Sequence, residues 1–141
     1  MVVTGLGVIT AIGSGKRAFW DALKRGDSGT RRVDDLMDLE GIHAKVGAPV
    51  ADFDPLCHVD KKRARRIGRS AQFALAAWQD ALRDSGLDLD AVDKDRMGVV
   101  MGTGIGAVEA ILESHVAILE RGPRRVSPFF IPKFMPNDVA A

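Results

Sequence analysis

The architecture of the chain is indicated by Met97-Gly98-Val99-Val100-Met101-Gly102-Thr103-Gly104-Ile105-Gly106. The apolar run at its start predicts a buried strand, and the closely spaced glycines after it predict a tight turn. A helical pattern follows to about Glu120. The same order opens the chain, with an apolar run at Met1 to Thr4 and then Gly5-Leu6-Gly7. Repetition of strand, glycine turn and helix predicts an α/β fold.

The clearest helical pattern runs from about Lys61 to Asp84. Asp60 is suited to cap its start, Gly86 is suited to end it, and Gly68 predicts a bend near its beginning. Its apolar side chains recur at steps of three and four residues. They are Ile67, Ala71, Ala74, Leu75, Trp78, Ala81 and Leu82.

Three shorter segments complete the expected order. Lys16 to Arg25 predicts a helix that stops at Gly26, and Val46 to Val50 predicts a short strand. Ser127 to Pro136 is apolar but too interrupted by proline for a helix. The helix before it is expected to turn one apolar face inward. That face consists of Val108, Ile111, Leu112, His115, Ile118 and Leu119.

Composition limits the possible classes of function. Of the 141 residues, 46% are hydrophobic and 28% charged, as is ordinary for a globular protein, and the net charge is +1. This charge gives no general preference for nucleic acid or for a membrane. The sequence has no run of apolar residues long enough to predict a membrane span, and its start does not resemble a secretory signal. With its single cysteine, Cys57, the chain is expected in the cytoplasm.

Cys57-His58 brings together the residue types of a nucleophile and its base. No glycine-rich elbow surrounds the pair, and neighbours in sequence rarely point at each other. A structural or incidental cysteine is the better interpretation, because an activated thiol needs an electropositive pocket. His43, His58 and His115 show no metal-ligand spacing, so no metal is expected.

The glycine clusters could also be interpreted as dinucleotide-binding loops, because each follows a predicted strand. Neither cluster completes the G-x-G-x-x-G pattern, and neither leads to a clear second strand that ends in an acidic residue. Close packing and tight turning explain the glycines better. A nucleotide-binding oxidoreductase domain is kept as an alternative from another functional class.

Several segments, read in order, resemble one family, the β-ketoacyl-acyl carrier protein synthases, and in particular the condensing enzymes of the type II fatty acid system. Each segment is weakly specific alone, whereas the complete series is strongly so. The segments are Val2 to Thr10, Phe19 to Leu23, Gly26 to Gly29, Asp80 to Leu87, Gly102 to Gly106 and Gly122 to Pro132. They span nearly the whole chain but only about the first third of a family member.

The resemblance implies a thiolase-like fold, of which residues 1–141 would be the amino-terminal part of the first α/β half, incomplete at its carboxyl end. It implies a decarboxylating Claisen condensation of acyl and malonyl groups delivered by acyl carrier protein, in a homodimeric enzyme without a cofactor. The catalytic cysteine and histidines of the family lie beyond Ala141, so no residue here receives a catalytic role. A polyketide ketosynthase or chain-length-factor subunit is the alternative within the family.

The resemblance also assigns two groups of binding residues. Lys62, Arg65 and Arg66 match positions that bind acyl carrier protein, within a basic run from Lys61 to Arg69 that is expected to place them with Arg69 on one helix face. The family commonly has an acidic residue soon afterwards, where this chain has Gly68 and Arg69. The alternative is an ordinary solvated face.

The second group is the expected wall of the acyl pocket. The resemblance places Ile105 beside the catalytic cysteine of the family, and Phe130 and Ile131 near the dimer interface. An apolar wall suits an alkyl chain, because each buried methylene contributes about 0.8 kcal/mol. Ordinary core packing is the alternative for these three residues.

Overall fold

The computed structural model describes residues 1–33, 40–135, 137 and 140. Strand β1 (Ile9–Thr10) pairs with β2 (Gly13–Ser14), and β3 (Arg31–Arg32) pairs with β4 (Val46–Gly47), both antiparallel. The strand predicted at Val46 to Val50 is therefore confirmed only for its first two residues. With the helices, the described residues form a small mixed α/β structure, which confirms the coarse fold class.

The strands predicted at Met1 to Thr4 and Met97 to Met101 do not form among the described residues. Neither segment pairs with a neighbouring strand there, and a strand depends on such a partner. They are not buried either, since Val3 is 80% exposed and Val100 is 96% exposed. The apolar pattern correctly predicts a non-helical backbone, but the prediction of buried strands is wrong for the described chain.

Helix α1 spans Lys16–Arg25, as its periodicity predicts. Gly26 ends it with a φ of 72°, a left-handed conformation that glycine adopts without steric cost. The helix buries Ala22 against the rest of the chain.

The long helix predicted from Lys61 to Asp84 is broken into two. Helix α2 covers only Lys61–Ala64, and α3 covers Arg69–Ser85. The predicted cap is confirmed, because the Asp60 carboxylate accepts hydrogen bonds from the backbone N–H groups of Lys62 and Arg63, both at 2.9 Å. Gly86 also ends α3 as expected, with a φ of 64°.

The break is located at Gly68, which is buried and extended just before α3. A Cβ atom on Gly68 would lie 2.4 Å from the Cβ of Ala107 and 3.0 Å from the backbone oxygen of Lys133. The sequence predicts a bend at this glycine, but the structure has a full interruption. The cause is tertiary: another part of the chain occupies the space beside Gly68.

Helix α4 spans Val108–Arg121, and α5 spans Phe130–Phe134 and contacts α4. Two predictions are wrong here. The Ser127 to Pro136 segment does contain a short helix, although Pro136 itself lies outside the described residues. The expected inner face of α4 is largely exposed, with Leu112 at 59% and Leu119 at 71%, and the helix buries Ala110 instead.

Among the described residues, every buried apolar side chain is an alanine: Ala22, Ala71, Ala76, Ala107 and Ala110. Backbones therefore come close together. A Cβ on Gly5 would lie 2.2 Å from the Ala81 backbone oxygen, and one on Gly7 would lie 1.7 Å from that of Ala77. None of the described helices is long and apolar enough to cross a membrane.

Candidate functional site

The basic segment, defined here as residues 61–67, begins on the Asp60 cap and runs through α2 to the break before α3. Hydrogen bonds from the Arg63 and Lys62 N–H groups to the Asp60 carboxylate hold the start of this segment. The same hydrogen bonds lower the pKa of the Asp60 carboxyl. Lys62, Arg65 and Arg66 are exposed. None of the three forms an ion pair with an acid in the part of the chain that the structure describes. They are thus three uncompensated cations close together in sequence.

The expected single helix face is wrong, because α2 ends at Ala64. Arg65 and Arg66 lie in the turn that follows it, and Arg69 lies on the other side of the break. The Arg69 guanidinium donates a hydrogen bond to the Val50 backbone oxygen at 2.9 Å and lies 4.7 Å from the centre of the Phe73 ring. Its backbone N–H donates to a Glu109 carboxylate oxygen at 3.3 Å. Arg69 therefore has a structural role at the start of α3, unlike Lys62 and Arg65, for which the described residues show no side-chain partner.

Arg66 makes a contact that sequence reasoning missed. Its guanidinium carbon lies 4.3 Å from the centre of the Phe129 ring, a cation–π arrangement. Phe129 is the residue on which α5 begins, and its backbone oxygen accepts a hydrogen bond from the Lys133 N–H at 3.0 Å. The basic segment is thereby joined directly to the segment that carries Phe130 and Ile131.

The three expected pocket residues lie on two segments. Ile105 is in the glycine loop before α4 and is 70% exposed, while Ile131 on α5 is 55% exposed. Phe130 is half-buried, and its ring stacks on that of Phe134 with centroids 5.8 Å apart. Ile105 and Ile131 are too exposed to line an enclosed cavity within this chain alone, so their role in a pocket stays a prediction.

Gly68 is the point at which these segments meet. On one side of it lies the basic segment, and on the other lie Ala107, at the end of the glycine loop, and Lys133 of α5. The Lys133 ammonium group also forms an ion pair with Glu113 of α4 at 2.8 Å. The signal available in the sequence was the glycine itself, since a glycine inside a helical pattern often marks close packing.

Two alternative sites are poorly supported by the geometry. Cys57 is exposed in a single turn, Pro55–Cys57, and the His58 ring is engaged elsewhere. That ring lies 3.1 Å from the Gln79 side-chain oxygen through Nδ1 and stacks on Phe53. The described residues hold no group of three or more side chains suited to bind a metal ion.

The amino-terminal glycines do not form a phosphate cradle. Gly5 and Gly7 face backbone carbonyl oxygens of α3, whose negative partial charge would repel a phosphate. This supports the interpretation of close packing for these two glycines. Gly102 and Gly104 have open space around them in the described structure, and Gly106 has a φ of 76°, as a tight turn requires.

Asp84 fixes the amino-terminal segment to the end of α3. Its carboxylate accepts a hydrogen bond from the Leu6 N–H at 3.0 Å and pairs with the Lys16 ammonium group. The Lys16 contact, followed by the Leu6 N–H, lowers the pKa of Asp84 below its usual range. This anchor lies outside the basic segment and supports the fold, not the candidate site.

Comparison with known proteins places this geometry in a family. Residues 1–141 match the family description "Beta-ketoacyl synthase, N-terminal domain". The 3-oxoacyl-[acyl-carrier-protein] synthase 2 of Staphylococcus aureus (strain COL) is 35% identical over 137 residues, which are 97% of this chain and 33% of that protein. The chain thus spans about a third of the length of the curated relatives it matches.

Solved structures agree. A β-ketoacyl synthase from Burkholderia phymatum STM815 has a TM-score of 0.81 at 34% identity, over 99% of this chain and 34% of that one. The ishigamide ketosynthase/chain length factor has a TM-score of 0.76 at 29% identity, over 98% of this chain and 34% of that one. Because the family match extends over the entire sequence, the chain belongs to the β-ketoacyl synthase family.

Proposed function

We propose that residues 1–141 serve as the amino-terminal part of a 3-oxoacyl-acyl carrier protein synthase, an acyltransferase of fatty acid biosynthesis. The observation that carries this proposal is the match over 97% of the chain to a relative named for that activity, at 35% identity. The polyketide alternative rests on a less similar structure, at 29% identity. The name "complete synthase" is used below for a polypeptide as long as the curated relatives, in which this chain forms the first third.

The proposed reaction is a decarboxylating Claisen condensation between an enzyme-bound acyl group and malonyl-acyl carrier protein. It needs an activated nucleophile and groups that stabilise the developing negative charge. The family resemblance assigns those groups to the part of the complete synthase beyond Ala141. The contribution of this chain is substrate handling within the first half of a thiolase-like fold. Assembly as a homodimer and location in the cytoplasm stay predictions.

The partner proposed for the basic segment is acyl carrier protein, which is acidic. Support comes from the exposure of Lys62, Arg65 and Arg66 and from the absence of acidic partners for them in the described chain. Unpaired cations on a docking surface speed association and lose effect as salt is added. The ordinary solvated face, which is the alternative, would show neither property toward a carrier protein.

The acyl chain is proposed to lie against Ile105, Phe130 and Ile131. Their exposed apolar surface has no cover in the described chain, and an alkyl chain together with the rest of the complete synthase would supply one. The Gly68 contacts hold the loop of Ile105 and the helix of Phe130 next to the basic segment. The group attached to the carrier would thus be received close to where the carrier docks.

The test replaces the three cations with glutamate in the complete synthase. Exposed ion pairs contribute about 0.2–1 kcal/mol each, so the triple reversal should weaken carrier binding more than any single change. The difference from wild type should shrink as salt is added, because the Debye length is about 10 Å at 0.1 M and shorter above it. The variant carries Lys62→Glu, Arg65→Glu and Arg66→Glu.

A matched control reverses three exposed cations outside the basic segment, Arg17, Lys94 and Arg96, with circular dichroism to confirm folding. Equal carrier affinity of wild type and the basic-segment variant at low salt would contradict the proposed docking role.

In a parallel assay the chain of residues 1–141 alone, mixed with acyl- and malonyl-carrier protein, should form no condensation product. Product above a protein-free blank would show that the chemistry does not need the remainder.

A further inference from the structure

The Arg66 side chain contacts an aromatic ring and can bind an anion at the same time. Its guanidinium carbon lies 4.3 Å from the centre of the Phe129 ring, and the N–H donors of a guanidinium lie in the plane of the group. A planar guanidinium can stack on an aromatic ring and donate hydrogen bonds to a carboxylate along its edge. Lys62 and Arg65 make no ring contact among the described residues. Arg66 is therefore the cation of the group that touches the apolar segment.

Movement at Phe129 cannot stay local. The next residue, Phe130, donates its N–H to the Ser127 backbone oxygen at 3.0 Å, and the Phe129 N–H donates to the Ser127 hydroxyl at 3.2 Å. Phe129 also accepts the first hydrogen bond of α5, from Lys133. A shift of the Phe129 backbone must therefore shift the start of the helix that carries Phe130 and Ile131, and a contact that holds Phe129 in place favours one position of that helix start.

Near its carboxyl end, α5 is held by contacts of Lys133. The Lys133 backbone oxygen lies against Gly68, 3.0 Å from the position a Cβ would occupy, and the Lys133 side chain is held by Glu113. Since Gly68 directly follows the basic segment, α5 lies between two contacts with that segment: the Arg66 ring contact at its start and the Gly68 backbone contact near its end. Because packed segments transmit strain, displacement of the basic segment will displace α5, and displacement of α5 will displace the basic segment.

We propose that Arg66 is a positioning residue that couples occupancy of the carrier site to the acyl chain length accepted at Phe130 and Ile131. A carboxylate of the carrier on the edge of Arg66 favours the stacked position over Phe129 and so holds α5 in place. A long acyl chain that pushes Phe130 outward works against this position. By linkage, each condition disfavours the other to the same extent. The inference rests on the proposed carrier-docking function and goes beyond it.

The experiment compares two single substitutions in the complete synthase, Arg66→Gln and Arg65→Gln. Both remove one exposed positive charge, but only the first removes a ring contact. Acylation by hexanoyl and myristoyl groups is measured twice, with the groups delivered by carrier protein and with the same groups on a small carrier-free thioester. Carrier affinity is measured separately, and Arg66→Lys, which keeps a cation above the ring, is the rescue variant.

With carrier-borne substrates, Arg65→Gln should slow both chain lengths by the same factor. Arg66→Gln should raise the myristoyl-to-hexanoyl ratio by about two- to fivefold, the range that an exposed cation–π contact supports. The ratio for Arg66→Lys should fall in between. With carrier-free thioesters, the change of ratio in Arg66→Gln should be smaller than with carrier-borne substrates, because only the ring contact is then lost and no carrier strengthens it.

Two results would overturn the inference. The first is an unchanged ratio in Arg66→Gln relative to Arg65→Gln, and the second is the same change of ratio with carrier-free substrates, which would mean a purely structural role. If the basic segment does not dock the carrier protein at all, the result is different: neither Arg66→Gln nor Arg65→Gln would then alter carrier affinity.

Discussion

Replacement of Gly68 by alanine directly probes the contact on which the candidate site is built. The backbone of Gly68, with φ −71° and ψ 163°, is open to any residue, so the substitution causes no backbone strain. The added methyl group would lie 2.4 Å from the Ala107 Cβ and 3.0 Å from the Lys133 backbone oxygen. Neither atom belongs to a flexible side chain, so helices α4 and α5 must move.

The magnitude follows from two opposing effects. Overpacking of a buried site costs about 1–3 kcal/mol. Loss of glycine restricts the unfolded chain and returns about 0.4–1 kcal/mol. We therefore expect Gly68→Ala to lower the free energy of unfolding of the 141-residue chain by about 1–2 kcal/mol. For a small protein this corresponds to a fall in the urea midpoint of about 0.5–1 M.

Urea unfolding followed by circular dichroism provides the assay, and Gly98→Ala is the matched control. Gly98 has open space where a Cβ would lie, so the same chemical change there should be neutral or slightly stabilising. Adding Ala107→Gly to Gly68→Ala should recover part of the loss, since it removes the atom that clashes. Equal stability of Gly68→Ala and Gly98→Ala would refute the close approach of these two segments.

Three further outcomes are expected. In the complete synthase, Ile105→Phe should slow acylation by long chains more than by short ones, and an unchanged chain-length profile in the folded variant would remove Ile105 from the pocket wall. In the 141-residue chain, Gly7→Ala should destabilise more than Gly68→Ala, because its Cβ would lie only 1.7 Å from the Ala77 oxygen, and a smaller fall in the urea midpoint would contradict that packing. The pKa of Asp84 is lowered in the folded chain, so its contribution to stability is present above the unfolded value of about 3.9 and is lost as pH falls through the folded value. Asp84→Asn should accordingly be less stable than wild type at neutral pH and approach it in acid, and a gap that is constant with pH would show that Lys16 and Leu6 do not hold the carboxylate.

The sequence was sufficient where structure depends on neighbours along the chain. The ends of α1 and α3 are set by Gly26 and Gly86, and the start of α2 by Asp60, because caps and left-handed glycines act locally. The sequence was insufficient where contacts with a distant segment determine the local structure. The two unpaired apolar runs need partners that local pattern cannot supply, and the break before α3 depends on Ala107.

The candidate site divides in the same way. The sequence alone identifies the charges of Lys62, Arg65 and Arg66 and the resemblance to the family. The structural role of Arg69 could not be predicted from the sequence, because it depends on a hydrogen bond to Val50 and on a contact with the Phe73 ring. The same limit applies to the contact between Arg66 and the ring at the start of α5, since no local pattern predicts it.

The alanine interior reverses the usual map of mutational tolerance. In most cores the harmful substitutions shrink leucine, isoleucine or phenylalanine and leave a void. Here the spacing of the helices is set by side chains of one methyl group or none, and the larger apolar residues that the structure describes are at least partly exposed. In a saturation screen of the 141-residue chain, the intolerant positions should therefore be the small ones, such as Gly7, Gly68, Ala76 and Ala107. At these positions even serine or valine would act as a wedge, whereas truncation of an exposed Leu119 would cost little.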